Sequence, residues 1–163
     1  MYLDQAKTLF ATLHIAAHEI SQCTETEVAQ LEQQLGHAIP AAYCEFLLWM
    51  GHGAGNFLRG SDVSYEHLRS NVSAARELLR ENNISLDLPV DALVFYTHQG
   101  YQFAYFQLSA GDNPPVYYYG EGEGVEEIRE LYPCFSDFLE REIEGHAELL
   151  REAAERQAKK RLP

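Results

Sequence analysis

The stretch GHAIPAAYCEFLLWMGHGAGN, residues 36–56, sets a proline, an apolar run and three alternating glycines beside a histidine. Taken as a phosphate loop it would make the chain a nucleotide enzyme. Taken as a helix and its stop, it is one layer of a core. Gly51, Gly53 and Gly55 spell G-x-G-x-G, but position 56 is Asn and the run follows a helical pattern. A dinucleotide fingerprint follows a strand and opens a helix. A P-loop needs Lys-Ser/Thr after its glycines, and here Phe57, Leu58 and Arg59 follow. HGAG is similar to the oxyanion loop of esterases, yet the chain has no G-x-S-x-G to carry the nucleophile. The helix fits every residue. Pro40 suits a first turn, Tyr43, Phe46, Leu47 and Met50 share a face, and Gly51 ends it before a left-handed glycine turn.

Outward from this helix the pattern continues on both sides. Thr24 with Glu27 three residues on forms a capping box, and Val28, Leu31 and Leu35 supply a buried stripe before Gly36. Leu3, Ala6, Leu9, Phe10, Leu13, Ala16, Ala17 and Ile20 predict a first helix running to Ile20. Tyr65, Leu68, Val72, Ala75 and Leu79 predict a fourth. Beyond Ala92, ALVFYT, YQFAYFQL and PVYYY are β-branched and aromatic, and read as three strands of an antiparallel meander. In the second, Gln102, Ala104, Phe106 and Leu108 alternate with Tyr101, Phe103 and Tyr105, so both sheet faces should be partly covered, one of them by helices. GEGEGVEEIRE reads as an acidic loop and a short helical turn. Phe135, Phe138, Leu139, Ile143, Leu149 and Leu150 predict a last helix, with Gly145 a candidate break.

Length and charge narrow the function classes. A chain of 163 residues with 46% hydrophobic content fits one self-sufficient domain. The start reads as a helix rather than a secretory leader, and no run of ~18 apolar residues spans a membrane. Cys23, Cys44 and Cys134 are odd in number and scattered, which suits a reducing cytoplasm. Twelve basic against 25 acidic residues give a net charge of −13, which opposes nucleic-acid binding and favours a basic protein partner.

No constellation for catalysis emerges. His14 and His18 stand four apart, but their spacer lacks the glutamate of H-E-x-x-H and no third ligand is set by spacing. Cys44 adjoins Glu45, which disfavours a thiolate, so it reads as core. His98 and Tyr101 flank a hairpin turn. Catalytic residues, cofactors and metals are therefore expected to be none. The one standing feature is acidic: between Glu121 and Glu144 lie nine acids against Arg129 and Arg141.

Together TETEVAQLEQQLGHAIPAAYCEFLLWMGHGAG, PPVYYYGEGEG and FSDFL carry a resemblance. Leu35-Gly36, Ile39-Pro40, Tyr43, Phe46-Leu47 and Gly51, then Pro115-Val116-Tyr117, then Phe135 and Phe138-Leu139, resemble in order the motifs of the SUKH superfamily of Smi/Knr-type domains. The resemblance implies a single α+β domain over residues 1–163, SUKH-like, with a mainly antiparallel sheet packed by helices. Residues 1–22 would be an added N-terminal helix, 22–145 the family-like core and 146–163 a helical tail. It implies no catalytic residues. It further implies a bacterial immunity protein that binds and neutralises a cognate toxin, a basic nuclease being one suitable class. The alternative is a cytoplasmic regulatory or scaffold module without a toxin partner. Tyr117, Tyr118 and Tyr119 beside Glu121, Glu123, Glu126 and Glu127 are the expected partner-binding surface.

Overall fold

Helix α2 (Glu25–Leu35) starts where its capping box predicts. Thr24 Oγ1 accepts from Glu27 N at 3.2 Å, and Glu27 Oε2 accepts from Thr24 N at 2.8 Å. Gly36, at φ 67°, closes it. Helix α3 (Ala41–Met50) follows Pro40 and carries Tyr43, Phe46, Leu47 and Met50 into the interior. The computed structural model describes residues 1–122 and 127–160.

The first helix is shorter than its stripe. Helix α1 (Asp4–Ala11) tightens at its end, where Thr12 N and Leu13 N donate to the carbonyls three residues back, and His14 turns left-handed at φ 55°. Beyond the helix Leu13 is buried in the turn and Ile20 is half-buried in strand β1 (Ile20–Ser21), paired with β2 (Gly53–Ala54), whereas Ala17 is exposed in a 3₁₀ turn. Glu45 holds α1 in place, accepting from Tyr2 N at 3.0 Å and Leu3 N at 3.2 Å, so a carboxylate sits at the positive end of the helix.

Strands β3 (Ser61–Asp62), β4 (Ala92–His98), β5 (Gln102–Gln107), β6 (Val116–Gly120) and β7 (Arg129–Tyr132) form an antiparallel sheet in that order. The three-strand meander is thus extended at both edges. The end of GEGEGVEEIRE, expected as a helical turn, instead enters strand β7, and residues 129–132 pair with the open edge of β6, where ladder hydrogen bonds outweigh local propensity. Glu123 and Glu126 lie outside the described residues. Helix α4 (Leu68–Glu81) crosses one sheet face, and α5 (Phe135–Lys160) passes through Gly145 unbroken on the other.

The sheet separates two cores. On one side Leu93, Phe95, Ala104, Phe106 and Val116 meet α1, α2, α3 and α5. On the other Val94, Phe103, Tyr105 and Tyr119 meet Ala75, Leu78 and Leu79 of α4. Helices therefore cover both faces. A bulge between Val94 and Tyr96 lets adjacent Phe95 and Tyr96 share the larger core. Its centre is aromatic: Phe135 lies 5.2 Å from Tyr43 and 5.3 Å from Phe95, edge to face.

Candidate functional site

Consecutive strand residues point to opposite faces, and β6 divides the three tyrosines accordingly. Tyr118 lies on the larger-core side, with the Arg129 guanidinium 5.8 Å from its ring centre. Tyr117 and Tyr119 lie on the α4 side, stacked on Tyr105 at 5.3 Å and Phe103 at 5.6 Å. Tyr119 is 3% exposed and belongs to the core, whereas Tyr117 and Tyr118 are half-buried. Glu121 and Glu127 are exposed at the end of this ribbon, and Glu130 is exposed opposite Tyr117 in β7. The described part is half-buried Tyr117 and Tyr118 on opposite faces of β6, one strand in from the β7 edge, with exposed acids nearby.

A cleft of about 560 Å³ opens between α5 and the β3–β4 edge, lined by Arg59, Tyr96, His98, Arg141, Glu142 and His146 among others. Burial pushes the Glu142 carboxyl above its ordinary range and the His146 imidazole below its own. Ser61 Oγ lies 2.8 Å from His98 Nδ1, a nucleophile-to-base distance. The two are direct partners in the β3–β4 register, which accounts for the contact. Among the described residues, no carboxylate is hydrogen-bonded to the other ring nitrogen of His98 to orient it for catalysis.

A second polar cluster gathers Cys23, Glu27, His52 and Glu66. His52 Nε2 lies 3.2 Å from Glu27 Oε1, and Nδ1 lies 2.5 Å from Glu66 Oε1. Burial pulls the imidazole pKa down, but hydrogen bonds to Glu66 and Glu27 outweigh it, and the net shift is upward. The Thr24 hydrogen bonds, with help from His52, hold Glu27 below the ordinary carboxylate range against its burial. Cys23 is 3% exposed, and burial, reinforced by Glu27 and Glu66, pushes its thiol up to about 12. Backbone bonds hold the cluster together: Cys23 N donates to Leu47 O, His52 N to Ser21 O, and Tyr65 N to Gly51 O. Gly51 itself has helical φ, −61°, and its requirement is space, because a Cβ there would collide with Cys23 Sγ.

His14 and His18 fall in a turn and a separate 3₁₀ segment, so the helix face expected to pair them does not form. Cys44 is half-buried against the larger core, with its thiol pKa raised by burial and then by Glu32 and Glu45.

An antiparallel sheet covered by helices on both faces defines an α+β domain. The family model of the SMI1 / KNR4 family (SUKH-1) matches residues 22–141, and the chain belongs to that family. A search of curated proteins found no match. Domains of this family bind partner proteins and are in general non-catalytic, serving immunity or regulation. Among the described residues, no helix is long and apolar enough to cross a membrane.

Proposed function

We propose that the chain is a non-catalytic immunity protein of the bacterial cytoplasm that neutralises a cognate toxin by stoichiometric binding. The observation that carries this is the exposed Glu130 opposite half-buried Tyr117, with exposed Glu121 and Glu127 at the end of the same ribbon, in a chain of net charge −13. Such a surface suits the basic cleft of a nuclease. The acids accelerate encounter, and Tyr117 beside them supplies the aromatic contact that holds the complex. Glu123 and Glu126 extend the same run in sequence and belong to the proposed surface.

A pull-down from the source cell at moderate salt, read by mass spectrometry, tests the reading. One stoichiometric basic partner encoded nearby supports it. Several unrelated partners would favour the regulatory role that other Smi/Knr-type domains play. With the partner in hand, Glu121, Glu123, Glu126 and Glu127 are reversed to lysine together. Association should slow by about tenfold or more and lose most of its salt dependence. Unchanged kinetics in a folded variant would sink the surface.

A further inference from the structure

We propose that Cys23, Glu27 and His52 form a binding site for a zinc-class divalent cation, with Glu66 as the outer partner that orients His52. The inference stands apart from toxin binding and rests on geometry. One ligand atom from each of the three residues lies within 4.8 Å of the others. Glu27 Oε1 and His52 Nε2 are 3.2 Å apart, close to the edge of about 3.3 Å that a tetrahedron with ~2.0–2.1 Å bonds requires. Sulfur, imidazole nitrogen and carboxylate oxygen are the donor set such ions take, and three protein ligands leave one position for water.

The surroundings are those of a built site. Metal-ligating histidines hand their other ring nitrogen to a carboxylate, and Glu66 stands at that nitrogen at 2.5 Å. Glu27 is already immobilised, because its Oε2 accepts from both Thr24 N and Thr24 Oγ1 at 2.8 Å while Oε1 faces His52. Cys23 lies just before the Thr24 N-cap and Glu27 in the first turn of α2, and the β1–β2 clip brings His52 to them. Glu27 and His52 are 32% and 20% exposed at the side chain and give the ion its way in, while Cys23 forms the buried floor. Binding transfers the Cys23 thiol proton to solvent, as a coordinating thiol is deprotonated outright, together with any proton on His52 Nε2. No oxidant or reductant takes part.

Cobalt(II) is the probe, because thiolate ligation gives a near-ultraviolet charge-transfer band and a tetrahedral site intensifies the visible bands. The full chain, stripped with chelator and dialysed, should develop both bands and saturate at one equivalent, and zinc should displace the cobalt. Cys23→Ser should abolish the charge-transfer band, a result that also separates Cys23 from Cys44 and Cys134. His52→Gln, a polar replacement at a half-buried position, should weaken binding at least tenfold, and Glu66→Gln by about 10–100-fold. Circular dichroism of each variant establishes folding. Absence of a thiolate band in the unaltered chain, or its persistence in folded Cys23→Ser, overturns the proposal.

Discussion

Removing one oxygen atom from the middle of the larger core should make this protein more stable. Tyr43 has no solvent exposure, and its ring lies between 5.1 and 5.9 Å from those of Phe46, Phe95, Phe106 and Phe135. Its hydroxyl is buried without a hydrogen-bond partner among the described residues. A buried polar group left unpaired costs about 1–3 kcal/mol. Tyr43→Phe keeps the ring and deletes that cost, leaving a void that takes back a few tenths of a kcal/mol (~0.3). The net expectation is a gain of about 1–2 kcal/mol, with Tm rising by about 2–4 °C for each kcal/mol in a chain of this size. Urea melts followed by far-ultraviolet circular dichroism measure it, with an unchanged m-value showing that the unfolded state is not responsible. Tyr43→Ala, which removes the ring as well, should lose about 3–5 kcal/mol. A Tyr43→Phe variant less stable than the parent would refute the reasoning, because it would mean that the hydroxyl is hydrogen-bonded in solution.

Two further outcomes follow from particular contacts. Gly51→Ala should destabilise by about 1–3 kcal/mol despite the helical φ, because its Cβ meets Cys23 Sγ; thermal melts that coincide with the parent's would contradict the packing. Glu142 has a folded pKa raised by burial, so its favourable contribution is present at low pH and lost as pH rises through that folded value. Glu142→Gln should therefore be more stable than the parent at pH 7 and nearly equal below the unfolded pKa of about 4.3. Paired urea melts at the two pH values decide it, and an equal or lower stability at pH 7 would reject it.

Helices α2 and α3 were legible because capping chemistry and a 3.6-residue stripe agreed at each end, from Thr24 to Gly36 and from Pro40 to Gly51. Strands β4, β5 and β6 announced themselves by aromatic and β-branched composition, and the alternation in β5 anticipated its two cores. Strands β1, β2 and β3 have two residues each, too few to show a period. The stripe through Leu13 and Ile20 read as helix because burial sets an apolar pattern whether or not the backbone stays helical. At the candidate sites, alternation along PVYYY already separates Tyr118 from Tyr117 and Tyr119. Cys23 and Glu27 stand close in the sequence, but that spacing alone marks no site, and none was expected there. His52 and Glu66 join them only through the β1–β2 pairing and the Tyr65 N to Gly51 O bond, which no local pattern encodes.

Helix α5 sits in two environments along a length of about 39 Å. Phe135, Phe138, Leu139 and Ile143 are buried among the sheet, α3 and α1, whereas every residue from Arg151 to Lys160 is exposed. That outer stretch has exposed side-chain pairs such as Arg156 with Glu152, 2.8 Å apart, and a free helix so short is marginal in water. Its amide protons should exchange with solvent through local fraying, while those near Leu139 wait for the whole domain to open. One continuous helix thus grades from backbone released by global opening to backbone released by local fraying, and would report both side by side.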